Sequence, residues 1–259
     1  MVEEGKGAME QIRVENVTKT YTTYGTEVIL DKGSRPSRTR TVLSDLSVEF
    51  PVEKLTVIVG RSGCGKSTLL QLLDGKTAPD SGIIRMPEGF RTAMLSPDPY
   101  VITWTSVTRN VAMAGGAGRD PEERMALAER LVKLVRLEEF ADLTPQELST
   151  GMKQRLGLAR VLASQAQVLL MDEPFASLDF ITREELQQEL LAVQREMPRT
   201  IILVTHQLDE ALLLGQRILV MHTDSSVRTF DLEDVAYPRD LLSPELLELK
   251  REITEECKK

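Results

Sequence analysis

A glycine-rich segment around residue 60 is the feature that most constrains how this chain folds. The nine residues GRSGCGKST, 60–68, match the pattern G-x-x-x-x-G-K-[ST]. They follow the short apolar run LTVIV and precede a helical pattern that extends from Lys66 to about Leu73. Glycines let backbone N–H groups close around phosphate oxygens at the start of a helix. The segment is therefore predicted to be a phosphate-binding loop between a buried strand and a helix.

The side chains of this loop have separate predicted tasks. Lys66 is expected to reach the β- and γ-phosphates of a nucleotide, and the Ser67 hydroxyl is expected to ligate Mg²⁺. Cys64 is interpreted as a small residue that fits the loop rather than as a redox sensor. The predicted nucleotide-binding residues here are Gly60, Arg61, Ser62, Gly63, Cys64, Gly65, Lys66, Ser67 and Thr68.

Polar residues at the ends of two later apolar runs complete a catalytic pattern. Asp172 and Glu173 close the run VLLM, where two adjacent acids are costly unless a cation or a water uses them. Asp172 is predicted to belong to the Mg²⁺ shell. Glu173 is expected on the opposite face, because neighbours alternate along a strand, and there to deprotonate an attacking water. His206, which ends TIILVTH, is a candidate donor to a γ-phosphate oxygen. His222 is interpreted as structural.

Strand and helix patterns alternate on both sides of a helical middle, which predicts an α/β fold with a mostly parallel sheet. Strands are expected at 11–21, with a slip at Val17, and at 41–50, with a surface loop at 25–40 between them. The signal Asp120-Pro121 begins a helix that is predicted to run to about Val135. Its buried stripe is predicted to consist of Met125, Leu127, Leu131 and Val135. A last helix is expected to run from Ser243 to about Glu252. The predicted units are 1–95, a helical subdomain at 96–147, and 148–259.

Charge and composition argue against several classes of partner. The chain has 32 basic and 40 acidic residues, a net charge of −8, and few aromatic residues, which disfavours nucleic acid. Cys64 and Cys257 form no metal-ligand or disulfide pattern, as expected in a reducing cytosol. We find no signal-peptide pattern and no apolar run of the roughly 18–20 residues that cross a bilayer. A membrane role is therefore expected to come through a partner.

The segment LSTGM, 148–152, resembles the start of a helix with small polar residues, which is an anion site. In order along the chain, GRSGCGKST, LSTGMKQRLGLAR, VLLMDEP, SLD and TH resemble the ATP-binding subunits of ATP-binding-cassette (ABC) transporters over nearly the whole sequence. The resemblance implies a P-loop NTPase (RecA-like) core, a small antiparallel β part and an inserted helical subdomain. LSTGM is then the signature motif of that family.

The resemblance also implies how the second anion site is used. Two ATPase subunits pack head to tail as a homodimer, and the signature of one, through Ser149 and Gly151, covers the γ-phosphate held by the other. Asp179 is expected at the interface between the subunits. Tyr21 is similar in position to the aromatic residue that stacks on adenine, with Tyr24 as an alternative. ATP and Mg²⁺ are the implied cofactors, and Lys66, Glu173 and His206 are the predicted catalytic residues.

The sequence departs from the family pattern at a few positions. The stretch MLSPDPYVITW contains no glutamine where the family places one near Mg²⁺, and Pro97 falls on that position, between Ser96 and Asp98. Either Asp98 substitutes for the glutamine or the sensor of the γ-phosphate is weak. We hypothesise slower hydrolysis or looser coupling to transport. Thr150 and Met152 replace a glycine and a glutamine of the signature, and Gln207 stands where an aspartate is common.

The chain resembles importers of the nitrate, sulfonate and taurine group most in LSTGMKQRLGLARVLASQAQVLLMDEPFASLD, VTHQLDEALLLGQRILVM and YPRDLLSPELLELKREI. Such subunits drive separate membrane permease subunits, supplied by a substrate-binding protein, so a cytoplasmic location on the inner face of the membrane is implied. Trp104 is either part of the surface that receives the permease or a residue of the subdomain core. A soluble non-transport ABC ATPase and a regulator with weak hydrolysis are the alternative functions.

Overall fold

The computed structural model describes residues 11–24, 37–116 and 118–259. The strands are β1 Gln11–Tyr24, β2 Ser37–Pro51, β3 Leu55–Val59, β4 Ser81–Arg85, β5 Thr92–Leu95, β6 Val168–Asp172, β7 Thr200–Val204, β8 Arg217–Met221 and β9 Val227–Asp231. The helices are α1 Lys66–Leu73, α2 Val107–Ala114, α3 Pro121–Leu134, α4 Thr150–Ala163, α5 Phe180–Glu196, α6 Leu208–Leu214 and α7 Pro244–Lys258. Short 3-10 turns lie at Glu138–Phe140 and Pro145–Glu147.

A six-stranded sheet with the order β5-β6-β7-β3-β8-β9 forms the centre of the molecule. Its first five strands are parallel, and β9 pairs antiparallel with β8. Every residue of β3, β6 and β7 is buried, which explains why these strands are continuous apolar runs in the sequence. The carboxyl ends of β3, β6 and β7 meet at one edge, where ligands gather in sheets of this kind.

A smaller antiparallel sheet, with the order β2-β1-β4, covers part of one face of the central sheet. The pairing of β1 with β2 shifts register between Val14 and Val17, and Asn16 has a φ of 52° there. The predicted slip at Val17 is therefore present as a β-bulge. Residues 37–40 belong to β2, so the predicted loop at 25–40 was wrong at its end, while 25–36 lie outside the described residues.

Helices α2, α3 and α4 pack together on the other side of the central sheet. The start of α3 agrees with its sequence signal, since the Asp120 side chain accepts a hydrogen bond from the Glu122 N–H at 2.8 Å and a proline follows it. Helix α4 approaches β5 and the turn after it closely at Gly157, where a Cβ atom would lie 2.8 Å from Cδ1 of Leu95 and 2.5 Å from Cβ of Pro99. A side chain at position 157 would therefore push α4 away from the sheet.

Several details differ from the sequence prediction. Of the predicted stripe, Leu131 and Val135 are buried and Leu127 is partly buried. Met125 is exposed, because α3 turns the side with Ala128 and Val132 toward the core. Helix α7 continues to Lys258, six residues beyond the predicted end. Helix α6 and strand β9 were not predicted. Within the described part of the chain, no helix has the length and apolarity needed to span a bilayer.

Candidate active site

The ammonium group of Lys66 is enclosed by its own loop. Its Nζ donates to the carbonyl of Gly60 at 2.8 Å and to the carbonyl of Arg61 at 3.0 Å, and lies 3.8 Å from Sγ of Cys64. The side chain is 8% exposed. A buried cation held by uncharged carbonyl groups attracts an anion strongly, since neither carbonyl neutralises its charge. The loop therefore presents a preformed positive site to a phosphate.

Two glycines of the loop are required by its geometry. Gly65, the residue before α1, has a φ of 104°, and a Cβ there would lie 2.4 Å from Cδ2 of Leu43. Gly60 has a φ of 156°, and a Cβ there would lie 2.3 Å from the carbonyl oxygen of Met221. Side chains at these positions are excluded by both conformation and space. Gly65 is thus required by close packing against β2, and Gly60 by close packing against β8.

A cavity of about 520 Å³ opens above the loop. It brings together most of the predicted loop residues with Glu173 and His206, whereas Arg61, Cys64 and Asp172 do not line it. Its lining consists of Arg40, Val42, Gly60, Ser62, Gly63, Gly65, Lys66, Ser67, Thr68, Glu173, Val204 and His206. Sequence reasoning missed Arg40 and Val42, which reach the cavity from β2, because the sequence carries no local signal for that long-range approach.

Asp172 lies beneath the cavity, at the end of β6. The residue is 5% exposed, and its side chain forms a hydrogen bond with the side chain of Ser67. Burial raises the pKa of the Asp172 carboxyl, an effect that the hydrogen bond to Ser67 opposes. The carboxyl is thus adjacent to the hydroxyl predicted to ligate the metal, and a nearby cation would favour its ionised form.

The side chain of Glu173 faces the cavity because its backbone leaves the strand conformation. Glu173 has a φ of 49°, in the left-handed region that is uncommon for residues other than glycine, while its N–H donates to the carbonyl of Val204 at 2.9 Å. The sequence predicted that Glu173 and Asp172 face apart because neighbours alternate along a strand. In the structure the reason is the left-handed backbone of Glu173 instead. A non-glycine residue in this conformation costs about 1–3 kcal/mol, and such strain is concentrated at functional sites.

His206 joins Glu173 at the same edge of the sheet. The imidazole Nδ1 lies 3.3 Å from Oε1 of Glu173, and the two side chains are 60% and 37% exposed, respectively. Both residues line the cavity beside the phosphate loop. The arrangement provides a carboxylate and an adjacent imidazole that are accessible to a bound ligand.

The oxygen donors at this edge fit Mg²⁺ as it is bound beside nucleotides. Mg²⁺ keeps several waters and takes one or two protein ligands together with phosphate oxygens. Ser67 and Asp172 are such a pair, and they are in contact. Among the described residues, no three or more His, Cys, Asp or Glu side chains are grouped so that they could hold a metal ion.

The signature segment forms a different surface. Ser149 precedes α4, and its Oγ accepts a hydrogen bond from the Met152 N–H at 3.3 Å. A Cβ on Gly151 would lie 3.3 Å from the carbonyl oxygen of Ser177, so this segment touches the one that precedes Asp179. None of these residues lines the cavity of the same chain. Within one chain, the phosphate loop and the signature are therefore separate.

Asp179 begins helix α5 beside that surface. Its carboxylate accepts a hydrogen bond from the Thr182 N–H at 3.0 Å, and this bond lowers the pKa of Asp179. The residue therefore caps the helix, as its position before an amphipathic pattern indicates.

The family of the chain follows from sequence comparison. A family model described as ABC transporter matches residues 43–176, which include the phosphate loop, the signature and the acidic pair. The chain belongs to the ABC transporter family. The resemblance predicted from the motifs is thereby confirmed.

Individual ABC relatives agree with this assignment. The chain is 38% identical to the taurine import ATP-binding protein of Rhizobium johnstonii over 237 residues, 85% of this chain and 90% of that protein. It is 40% identical to an aliphatic sulfonates import ATP-binding protein of Rhodopseudomonas palustris over 217 residues, 82% of this chain and 76% of that protein. A dimeric post-hydrolysis ATP-binding cassette bound to ADP and Pi matches the fold with a TM-score of 0.72 and 26% identity, covering 85% of this chain and 98% of that chain. The predicted fold class is confirmed, and the chain is an ABC transporter ATPase.

Tyr21 of this ABC ATPase lies outside the cavity lining. It is 38% exposed on β1, opposite Arg40 of β2, and Nζ of Lys19 lies 5.6 Å from the centroid of its ring. Its strand partner Arg40 does line the cavity. The side chain of the alternative, Tyr24, is not among those that the structure describes.

The two interpretations of Trp104 are separated by its exposure. The side chain is 79% exposed, and Tyr100 nearby is 78% exposed, so the alternative of a core residue was wrong. Pro97 and Asp98 are exposed in the turn after β5, and neither lines the cavity. His222 lies 3.3 Å from Oε1 of the buried Glu256 on α7, which agrees with its structural interpretation.

Proposed function

We propose that this chain binds ATP in the cavity above the phosphate loop and hydrolyses it to energise a membrane importer. The observation that supports this most is the convergence of Lys66, Glu173 and His206 around one cavity of about 520 Å³. A cation beneath the phosphates, a carboxylate facing them and a neighbouring imidazole are the groups that phosphoryl transfer to water needs.

The proposed roles follow from the positions of these groups. Lys66 and the loop N–H groups bind the phosphates and stabilise the charge that develops on them. Glu173 takes a proton from the attacking water, and His206 donates a hydrogen bond to the γ-phosphate. Ser67 and Asp172 would hold Mg²⁺, and the ion would supply positive charge that offsets the negative charge of the phosphates. Tyr21 is the proposed partner of the adenine ring.

We also propose that the nucleotide is enclosed by two copies of the chain. Ser149 and Gly151 of the partner subunit would complete the phosphate enclosure, and Asp179 would lie at the contact between the subunits. Two observations support this. These residues lie away from the cavity of their own chain, and the ADP-bound cassette with a similar fold is dimeric. ATP then stabilises the dimer, and its hydrolysis weakens it.

The remaining partners are proposed from the named relatives. Two of these relatives are named for the import of taurine and of aliphatic sulfonates. The names favour a transported solute of the nitrate, sulfonate and taurine group. The chain would act at the cytoplasmic face of the membrane by binding permease subunits. A substrate-binding protein would deliver the solute to these subunits. We assign 96–147 as the helical subdomain between core parts 1–95 and 148–259. Its exposed Trp104 and Tyr100 are the proposed contact with the permease.

A two-part experiment tests this function. The purified chain should hydrolyse ATP only with Mg²⁺, and a cell that lacks the chain should lose uptake of labelled taurine, nitrate or an alkanesulfonate. Wild type should restore uptake, while Glu173→Gln, produced at the same level, should not. Mg²⁺-dependent hydrolysis without any change in uptake would favour a non-transport ABC ATPase. Uptake restored by Glu173→Gln would refute the assigned catalytic role.

A further inference from the structure

The side chain of Arg183 on α5 connects two separate segments of the chain. Its Nη1 donates to Oε1 of Gln207 at 2.8 Å, and its Nη2 donates to the carbonyl of Leu178 at 2.9 Å. Gln207 directly follows His206, and Leu178 directly precedes Asp179. One guanidinium group therefore connects the segment that carries the cavity imidazole to the segment beside the signature surface.

A second connection runs parallel to the first. Glu210 of α6 is buried, and its Oε1 accepts a hydrogen bond from Nε2 of Gln187 on α5 at 2.9 Å. The side chain of Thr205 also forms a hydrogen bond with Glu210. Thr205 Oγ1 in turn accepts from the N–H of Gln207 at 3.1 Å. Residues 205–207 are thus tied to α5 at two points, one helical turn apart.

The first connection has an electrostatic side and a geometric one. Burial raises the pKa of the Glu210 carboxyl, and the charge of Arg183 opposes this rise. Among the residues that the structure describes, no hydrogen-bond partner is present for the buried Nε of Arg183, and both acceptors of its other nitrogens are uncharged. A partly buried guanidinium with an unpaired nitrogen costs free energy. Its planar fork, however, fixes two acceptors in one geometry, which a single-point donor cannot do. The arrangement therefore favours positioning over stabilisation.

We propose that Arg183 and Gln207 are positioning residues that hold His206 in a fixed relation to Asp179. Through them, contact of a second subunit with the segment at Asp179 sets the position of the imidazole beside Glu173. The inference rests on the proposed function, because it assumes the dimer and the role of His206. Neither Arg183 nor Gln207 lines the cavity, so they act through His206 rather than on the nucleotide.

Substitutions at both ends of the hydrogen bond test this. Gln207→Met keeps the side-chain length, Arg183→Met keeps an unbranched apolar chain, and each removes the bond. Each is expected to lower kcat of Mg-ATP hydrolysis roughly 10- to 100-fold, the effect of a displaced group, with KM for ATP and Tm unchanged. The double variant should lose no more than either single variant, since both remove the same interaction. Gln207→Glu retains an acceptor and should keep kcat near that of wild type.

Several results of these measurements would overturn the positioning role of Arg183 and Gln207. Additive losses in the double variant, an unchanged kcat in Gln207→Met, or a loss that appears in KM or Tm would each overturn the positioning role. If Arg183→Met does not fold, the comparison of Gln207→Met with Gln207→Glu decides alone, and equal kcat values for those two would contradict the inference. A wild-type chain without Mg-ATPase activity would refute the proposed function together with the inference. An active wild type with an unaffected Gln207→Met would refute the inference only.

Discussion

Nδ1 of His206 lies 3.3 Å from Oε1 of Glu173, although the two residues follow different strands of the central sheet. The contact forms because β6 and β7 are adjacent and parallel, so their carboxyl ends reach the same edge. Each residue alone is an ordinary polar group after a strand. Together, beside the phosphate loop, they place a carboxylate and an imidazole at one cavity.

Substitution of His206 by alanine should reduce kcat about 100-fold, because a hydrogen-bond donor to the reacting phosphate is lost. Nucleotide affinity, measured by titration with a fluorescent ATP analogue, should change little. His222→Ala is a matched control, since His222 also follows a strand but contacts Glu256 instead of the cavity. Equal hydrolysis rates for the two variants would contradict the role of His206.

Replacement of Lys66 by methionine should remove the buried positive charge that the loop carbonyls hold. We expect hydrolysis to fall about 10²–10³-fold and ATP affinity to fall with it. Lys54→Met is the control, because Lys54 forms an ion pair with Glu233 at the surface. Hydrolysis at the wild-type rate in Lys66→Met would contradict the assignment of 60–68 as the phosphate-binding loop.

Substitution of Asp172 by asparagine should stabilise the nucleotide-free protein while it impairs Mg²⁺-dependent turnover. Burial raises the pKa of Asp172, so the folded state disfavours the ionised carboxylate. Stability is lost as pH rises from the ordinary pKa of an aspartate through the raised value, and the variant avoids this loss. The gain in Tm should be about 2–4 °C near neutral pH and should vanish in acid.

Thermal melts of both proteins across a pH series measure this difference directly. A Tm of Asp172→Asn that is lower than wild type at neutral pH would mean that the carboxylate is stabilising in the absence of a metal. That result would contradict the electrostatic description of the site.

The parts of the fold that the sequence predicted are those with strong local patterns. The buried strands β3, β6 and β7 are continuous apolar runs, and α3 begins at an aspartate followed by proline. Helix α6 has only seven residues, and β9 has a single buried residue, so neither has a periodicity long enough to recognise. Met125 fits a helical stripe by spacing, but the packing of α3 against its neighbours decides which positions are buried.

The candidate site was predicted as a set of residues but not as an arrangement. Motif spacing identified Lys66, Asp172 and Glu173, because each chemistry requires those residue types next to strand ends. The left-handed backbone of Glu173 has no sequence signal, since such a conformation is imposed by the surrounding structure. The approach of Arg40 to the loop depends on the pairing of distant strands, which local patterns do not encode.

The position of Pro97 in an exposed turn leads to a prediction about the rate of ATP hydrolysis. Pro97 offers no side-chain donor or amide oxygen and does not line the cavity, so we expect slow hydrolysis in the wild type. Pro97→Gln should raise steady-state turnover by a few fold, with Asp98→Asn as a neighbouring control that leaves it unchanged. A turnover that stays constant or falls in Pro97→Gln would contradict the hypothesis of a missing Mg²⁺ contact.

We propose that two copies of the chain enclose each nucleotide, and sedimentation of the Glu173→Gln protein with ATP and Mg²⁺ tests this proposal. Without hydrolysis, ATP remains bound between the two subunits, so we expect a stable dimer with ATP and a monomer with ADP. Adding Gly151→Phe to the same protein should abolish the dimer while each monomer still binds ATP. A Glu173→Gln protein that binds ATP and remains monomeric, or a dimer that tolerates phenylalanine at position 151, would contradict the shared site.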